Sequence, residues 1–101
     1  MNVSSFFPGR IRIRDEVLKD GEISAALRAA IENHEAIKNI DHNLRTGSVL
    51  IEYHVSKLPV EKLMTFQKEL LELQKLCDRY NGSDKSAILL KIGELKEKLA
   101  L

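Results

Sequence analysis

Residues 10–14 read Arg-Ile-Arg-Ile-Arg, and this strict alternation constrains the fold more than any other stretch of the chain. A period of two puts the arginines on one side of an extended strand and Ile11 and Ile13 on the other. A helix would spread the same residues around its circumference. Residues 9–14 therefore predict a strand in a sheet that buries one face and leaves the other in solvent.

The segments that follow alternate between helical and extended patterns. Residues 22–34 repeat apolar side chains at spacings of three and four, which predicts a helix. A hairpin is predicted next, with strands at 37–44 and 48–54 around a Thr46-Gly47 turn. Pro59 predicts the start of a long helix, because its fixed φ suits the first helical position.

Two apolar seams run through the C-terminal half of the chain. The long helix carries one whose members step by three and four: Leu63, Phe66, Leu70, Leu73, Cys77 and Tyr80. A final helix is predicted within residues 83–101, with a seam of Ile88, Ile92, Leu95 and Leu99. Residues 87–92, AILLKI, also fit a buried strand followed by a short helix from Glu94. We favour the helix, because leucine, lysine and glutamate dominate and the spacing continues past Gly93.

Composition sets broad limits on function. A chain of 101 residues builds one domain with a single modest core. Sixteen basic and fifteen acidic residues give a net charge of +1, which argues against wholesale nucleic-acid binding. The single cysteine, Cys77, excludes an internal disulfide and fits a reducing compartment. Without a signal-peptide pattern or a run long enough to span a bilayer, we expect a cytoplasmic protein that does not insert into a membrane.

No motif indicates catalysis, and no cofactor is expected. The serines lack a GxSxG setting and the glycines build no phosphate loop. His42 and His54, on the two hairpin strands, are a weak alternative as metal ligands, but their spacing matches no dedicated site. Arg10, Arg12 and Arg14 are either the solvent face of the sheet or a row that contacts carboxylates or phosphates.

The order strand, helix, hairpin, helix, together with the segments GRIRIR and TGSVLIEYHVSKLPVEKL, resembles the heavy-metal-associated domain and its cysteine-lacking relatives. In those relatives a G-R-[IV]-R-[ILV]-R strand opens the domain, and a T-G-S-V-L-[IV]-x-Y strand leads into a helix that starts with proline. The resemblance covers about residues 8–65. It implies an α+β fold, a ferredoxin-like βαββα(β) sandwich, here with a C-terminal helical extension.

Two departures from that family pattern matter. Metal-carrying members place a Cys-x-x-Cys pair between the first strand and the first helix, whereas this chain has no cysteine in residues 15–21. Transfer of copper or zinc between thiolates is therefore excluded on chemistry. The C-terminal third also departs, because the second helix is about twice the family's length and a helix is expected where the family has its fourth strand. The division is then a lead-in segment 1–8, a domain 9–80 and an extension 83–101.

If the fourth strand is absent, the first strand, RIRIR, becomes a sheet edge with unpaired backbone groups. The long helix would also overshoot a small sheet, so its apolar length needs a cover. The cover is either the last helix folded back or a second chain, and we expect a homodimer. The expected oligomer interface is Leu63, Phe66, Leu70, Leu73, Tyr80, Ile88, Ile92, Leu95 and Leu99.

The resemblance implies a role in metal homeostasis. Such domains occur with heavy-metal P-type ATPases, and similar GRIRIR segments occur where those transporters load iron into storage compartments. We expect a non-catalytic adaptor that docks through Arg10, Arg12 and Arg14 on such an ATPase or on a metal-storage component, and so reaches a membrane surface through its partner. The alternatives are metal binding by histidine and carboxylate, and RNA binding on the open sheet with Tyr53 as a stacking residue.

Overall fold

The computed structural model describes residues 2–80, 82 and 85–100, and for residues 2–4, 6 and 100 it describes the backbone alone. The elements in chain order are β1 (Asn2–Phe7), β2 (Arg10–Arg14), a 3₁₀ turn (Glu16–Lys19), α1 (Gly21–Ile31), β3 (Ile37–Asn43), β4 (Ser48–Tyr53), a second 3₁₀ turn (Val55–Lys57), α2 (Val60–Asp78) and α3 (Ser86–Ala100). Over the described residues the strands form one four-stranded antiparallel sheet in the order β1-β2-β4-β3. The predicted α+β class is confirmed, and the arrangement is compatible with a ferredoxin-like fold.

The N-terminal segment is a strand, which corrects the prediction of a lead-in at residues 1–8. Pro8 and Gly9 form the turn that folds β1 back onto β2, and Gly9 has φ +84°, a conformation that glycine adopts without strain. The register pairs Phe6 with Ile11 and Val3 with Ile13. β1 therefore occupies the sheet position, antiparallel and next to β2, that the fourth strand holds in a ferredoxin-like domain.

This pairing also corrects the prediction that RIRIR is a bare edge. β2 pairs with β1 on one side and with β4 on the other, so its backbone is used within the sheet. Pairing both sides of β2 satisfies the donors and acceptors that an edge strand would leave open. The sheet now ends at β1 and β3 instead.

The last helix is confirmed where residues 87–92 also fitted a strand. Because β1 fills the place beside β2, no sheet position next to β2 remains for that segment. α3 packs against both α1 and α2, and it buries Ile88, Ile92, Leu95 and Leu99 in the same core as Ile13 and Leu27. Of the predicted extension 83–101, residues 83, 84 and 101 lie outside the described part of the chain.

The hairpin and the long helix lie where the sequence predicted them, with small shifts at their ends. β3 and β4 pair antiparallel, with Ile40 opposite Ile51. The prediction put Pro59 at the first helical position, whereas α2 begins one residue later, at Val60. Pro59 is the N-cap residue, and its carbonyl accepts the first backbone hydrogen bond, from the Leu63 amide.

Gly47 ties this hairpin to the end of β2. Its carbonyl accepts a hydrogen bond of 2.9 Å from the Asp15 amide, and its φ is +68°. A Cβ at this position would lie 2.3 Å from the Asp15 carbonyl oxygen, which is closer than atoms can approach. Only glycine fits this junction, which fixes the sheet against the loop before α1.

Candidate functional site

The arginines of β2 line up along the sheet face that none of the described helices covers. Arg10, Arg12 and Arg14 are exposed to solvent. Ile11 and Ile13 point to the helical side and are only 3% and 0% exposed. We call the uncovered side the open face. The alternation that predicted one buried and one wet side is confirmed, and the arginines form a row along the second strand of the open face.

The strand register defines the surroundings of each arginine, because paired residues on neighbouring antiparallel strands share a face. The partners on β1 and β4 are Phe7 and Glu52 for Arg10, Ser5 and Leu50 for Arg12, and Asn2 and Ser48 for Arg14. The arginine row therefore has an acidic neighbour at one end, and uncharged neighbours in the middle and at the other end.

Among the paired strand residues of the open face, the carboxylates are on β3 and β4. Asp41 and Glu52 are bridged by the Asn39 amide, whose Nδ2 lies 3.4 Å from Asp41 Oδ2 and 3.5 Å from Glu52 Oε1. These long contacts at exposed positions contribute little stability. The two carboxylates nevertheless place negative charge on the half of the open face away from β1.

The loop that holds two thiolates in metal-carrying relatives is built from structural contacts here. Asp15 accepts a hydrogen bond from the Val17 amide, and the following side chains, Val17 and Leu18, are buried at 7% and 1% exposure. Asp20 then caps α1 by accepting from the Glu22 and Ile23 amides at 2.9 and 3.2 Å. Apolar and capping residues therefore fill the positions where a soft metal would need sulfur ligands.

Lys85 joins this loop to the start of α3. Its Nζ lies 3.0 Å from Asp20 Oδ2 and 2.7 Å from Glu22 Oε2. Hydrogen bonding to Lys85 and to the helix amides holds the pKa of Asp20 below its usual value, and the two carboxylates raise the pKa of Lys85. The loop therefore works as a junction between α1 and α3.

Cys77 lies beside the same loop, but its environment does not favour the thiolate that binds a metal ion. It shares with Asp15 and Asp78 the wall of an open cleft of about 400 Å³. The side chain is 7% exposed, and burial raises the pKa of its thiol to about 11. The protonated thiol is a poor ligand, and across the described residues no group of three histidine, cysteine, aspartate or glutamate side chains is arranged to hold a metal ion. The predicted role of Cys77 as a small core residue agrees with its position.

The register separates His42 from His54 along the hairpin, and the weak metal alternative stays a prediction. His42 pairs with Val49, whereas the His54 amide bonds to the Ala36 carbonyl near the opposite end of the hairpin. His54 is five Cα-to-Cα steps of extended chain beyond Val49, roughly 17 Å. His42 lies on the helical side of the sheet, where its Nε2 is buried without a hydrogen-bond partner.

Tyr53, the residue expected to stack on RNA, is also on the helical side. It is 6% exposed and belongs to the core. The open face therefore does not present it to any ligand.

The structure buries most of the residues expected at an oligomer interface within one chain. Seven of them are at most 7% exposed, namely Phe66, Leu70, Leu73, Ile88, Ile92, Leu95 and Leu99, while Leu63 and Tyr80 are partly buried against them. Their apolar surface is covered by α3, which folds back onto α2. This is the first of the two alternatives given above, the last helix or a second chain. A dimer through these residues would require two chains to exchange α3, and the homodimer stays a prediction.

Sequence reasoning missed a buried ion-pair cluster between α2 and α3. Glu69 is 2% exposed; its Oε1 lies 2.6 Å from Lys98 Nζ and its Oε2 2.6 Å from Lys91 Nζ. Lys91 also contacts Glu72 and Glu94. The ammonium groups of Lys91 and Lys98 hold the pKa of Glu69 below its usual value despite burial. The only signal was that Glu69 lies beside the apolar seam.

No helix among the described residues combines the length and the apolarity needed to cross a membrane.

Comparisons with known proteins identify the family to which the chain belongs. Neither the curated proteins nor the solved structures contain a match to the chain. A family model does match, that of heavy metal associated domain 2, and it covers residues 1–100. A match over nearly the whole length shows that the chain belongs to the heavy metal associated domain 2 family.

Proposed function

We propose that the chain is a non-catalytic interaction module in metal homeostasis. In this proposal it docks on a metal-transporting P-type ATPase or on a metal-storage assembly and carries no ion itself. The observation that supports it most is the arginine row on the open face of a domain from a metal-associated family. Iron is a narrower form of the proposal, and it rests on the resemblance of GRIRIR to segments found with iron-storage systems.

The chemistry of the family's metal loop supports an adaptor over a carrier. A carrier must present thiolates that pass a soft ion to a partner. Here Asp15 and Asp20 accept backbone hydrogen bonds, and Val17 and Leu18 are packed inside. Residues that serve the core in this way cannot open to exchange a ligand without local unfolding.

Docking is tested with the tagged 101-residue chain in cells of its source organism. We expect the purified chain to bring a metal-transporting ATPase or a metal-storage component with it. Arg12→Glu combined with Arg14→Glu should remove that component, because both changes reverse charge on the open face. Arg79→Glu is the matched control, since Arg79 is an exposed arginine at the end of α2. Loss in the control as well, or retention in the double variant, would count against the open face.

Metal binding is the alternative and has a direct test. Isothermal titration of the full chain with iron(II), zinc(II) and copper(I) should give no stoichiometric binding. Binding of one ion per chain would replace the adaptor by a metal-binding module. The ligands could then be found by replacing His34, His42 and His54 in turn.

A further inference from the structure

The arginine row cannot be recognised by addition of a strand to β2. Both sides of β2 are already paired, to β1 and to β4, so a partner meets its side chains and not its backbone. Any occupant therefore lies on top of the sheet. Its contacts are with the guanidinium groups and the residues that share their rows.

The spacing of the row fits an extended peptide. Alternate residues of a strand repeat every 6.6–6.8 Å or so, and an extended peptide has the same repeat. A partner with carboxylates at positions i, i+2 and i+4 can set each one opposite a guanidinium of Arg10, Arg12 and Arg14. Guanidinium groups bind carboxylates with two parallel hydrogen bonds, which reward a matched spacing. A helix repeats one face about every 5.4 Å, so its carboxylates fall progressively out of step with the arginines. A compact acidic patch has no regular repeat.

The distribution of charge restricts the occupant to one half of the open face. β1 and β2 contain no aspartate or glutamate, whereas Asp41 and Glu52 lie on the β3 and β4 side. Arg10 pairs with Glu52 across the sheet, while the partners of Arg14 are the uncharged Asn2 and Ser48. An acidic chain is therefore attracted to the β1–β2 half and repelled from the β3 side.

Phe7 adds an apolar contact at the other end of the row. It pairs with Arg10 across β1 and β2 and is 64% exposed. A large aromatic side chain on an uncovered sheet, beside a row of cations, favours a partner with an apolar residue next to its acidic ones.

We infer that the open face binds an extended acidic segment of the docking partner, laid along β2 over the β1–β2 half with carboxylates on alternate residues. The inference rests on the proposed function and names the chemistry of its partner. An anionic bilayer fits less well, because a flat surface meets Asp41 and Glu52 as well as the arginines. RNA fits less well too, because stacking of bases on a sheet uses two or three aromatic side chains. Among the described side chains the open face offers Phe7 alone, since Tyr53 faces the core.

Fluorescence anisotropy with the 101-residue chain tests this inference directly. The first probe is a labelled extended peptide with three glutamates on alternate residues and a leucine at one end. Its isomer carries the same three glutamates in succession. Vesicles containing phosphatidylserine and single-stranded poly(U) are the other probes. We expect the alternating peptide to bind at least threefold tighter than its isomer, and both to weaken with salt.

Two variants locate the binding. Arg14→Glu should weaken binding of the alternating peptide at least tenfold, and Arg14→Gln should weaken it less. Arg79→Glu should leave it unchanged. Circular dichroism of each variant shows that the fold is retained. Equal affinity for the two peptides, normal binding by Arg14→Glu, or preference for vesicles or RNA would each overturn the inference.

The outcome is separable from that of the proposed function. If the tagged chain recovers an ATPase or a storage component through Arg12 and Arg14 while neither peptide binds, the extended acidic segment is wrong and the docking module stands. If the alternating peptide binds but no metal-related partner is recovered, the surface is right and the assignment to metal homeostasis is wrong.

Discussion

Gly47 and Gly93 have opposite structural roles. The surroundings of Gly47 exclude a side chain, whereas those of Gly93 leave room for one. Its φ of +68° and the 2.3 Å approach of a Cβ to the Asp15 carbonyl leave no room for a side chain. Gly47→Ala should therefore lower the free energy of unfolding by about 2 kcal/mol or more, since strain and a backbone clash add. Urea denaturation measures this change.

Gly93 supplies the matched control. It lies within α3, and a Cβ there would meet nothing within 4 Å. Gly93→Ala should raise stability by about 0.5–1 kcal/mol, because alanine loses less backbone entropy in a helix. If both alanine variants shifted stability in the same direction, the close approach at Gly47 would not be the cause.

His42 should make stability fall as the pH drops just below 6.5, the ordinary pKa of its imidazole. Burial lowers the pKa of its imidazole below 6.5, Arg28 adds to this effect, and Asp41 and Glu32 oppose it. The unfolded chain then takes up a proton that the folded chain resists, so stability is constant above the unfolded pKa and falls as pH drops below it. His42→Gln, which does not titrate, should show a flatter profile in denaturant titrations at each pH.

The control for this experiment is His54→Gln, which removes a histidine from the same hairpin. Acidic residues such as Glu69 also lose their contribution in acid, but below their ordinary pKa of 4.5 and so outside this window. An unchanged slope in His42→Gln would show that the buried Nε2 does not carry the effect.

At the scale of elements, α2 and α3 are held together by the Glu69 cluster as well as by apolar contacts. Removing one partner of a buried ion pair strands the other charge, which typically costs about 3 kcal/mol. Lys91 keeps Glu72 and Glu94 and the Lys98 side chain is half-exposed, so Glu69→Gln should lower stability by less, about 1–2 kcal/mol, as chemical denaturation would show. Glu61→Gln is the control, because Glu61 is an exposed glutamate on the same helix.

A double variant separates charge from packing in this cluster. Glu69→Met combined with Lys91→Met should recover most of the loss, since apolar residues of similar volume replace buried ion pairs at little cost. If the double variant were as unstable as Glu69→Gln, then the geometry of the hydrogen bonds, and not the stranded charge, would set the stability.

The elements also show what the sequence could predict. Alternation predicted β2 and its buried isoleucines, and steps of three and four predicted α1, α2 and α3, because one buried face is enough to impose each period. β1 was not predicted, although Pro8-Gly9 is a turn signal, because Asn2–Phe7 has no clear alternation of its own. Its place depends on pairing with β2, which only the assembled sheet reveals. The partners of Glu69 depend likewise on how α3 folds back.

At the scale of the molecule, one core joins the helices to the sheet. The buried side chains of α3 belong to the same cluster as Ile13 of β2 and Phe66 of α2. The earlier division at residue 80 separated residues that pack together here. Folding of residues 9–80 alone therefore depends on how much of the free energy of unfolding comes from α3.

A chain that ends at residue 85 should not fold. α3 contributes four buried side chains, Ile88, Ile92, Leu95 and Leu99, each at most 6% exposed. At about 1.5–3 kcal/mol for each, their loss removes roughly 6–12 kcal/mol, which is comparable to the whole stability of a small domain. Circular dichroism of the shortened chain should show little cooperative unfolding. Within the full chain, Ile92→Ala should cost about 2–5 kcal/mol, whereas Leu90→Ala, at a side chain 69% exposed, should cost little. A shortened chain that unfolded cooperatively at the denaturant concentration of the full chain would make α3 an appendage, and its apolar face would then be free to meet a second copy.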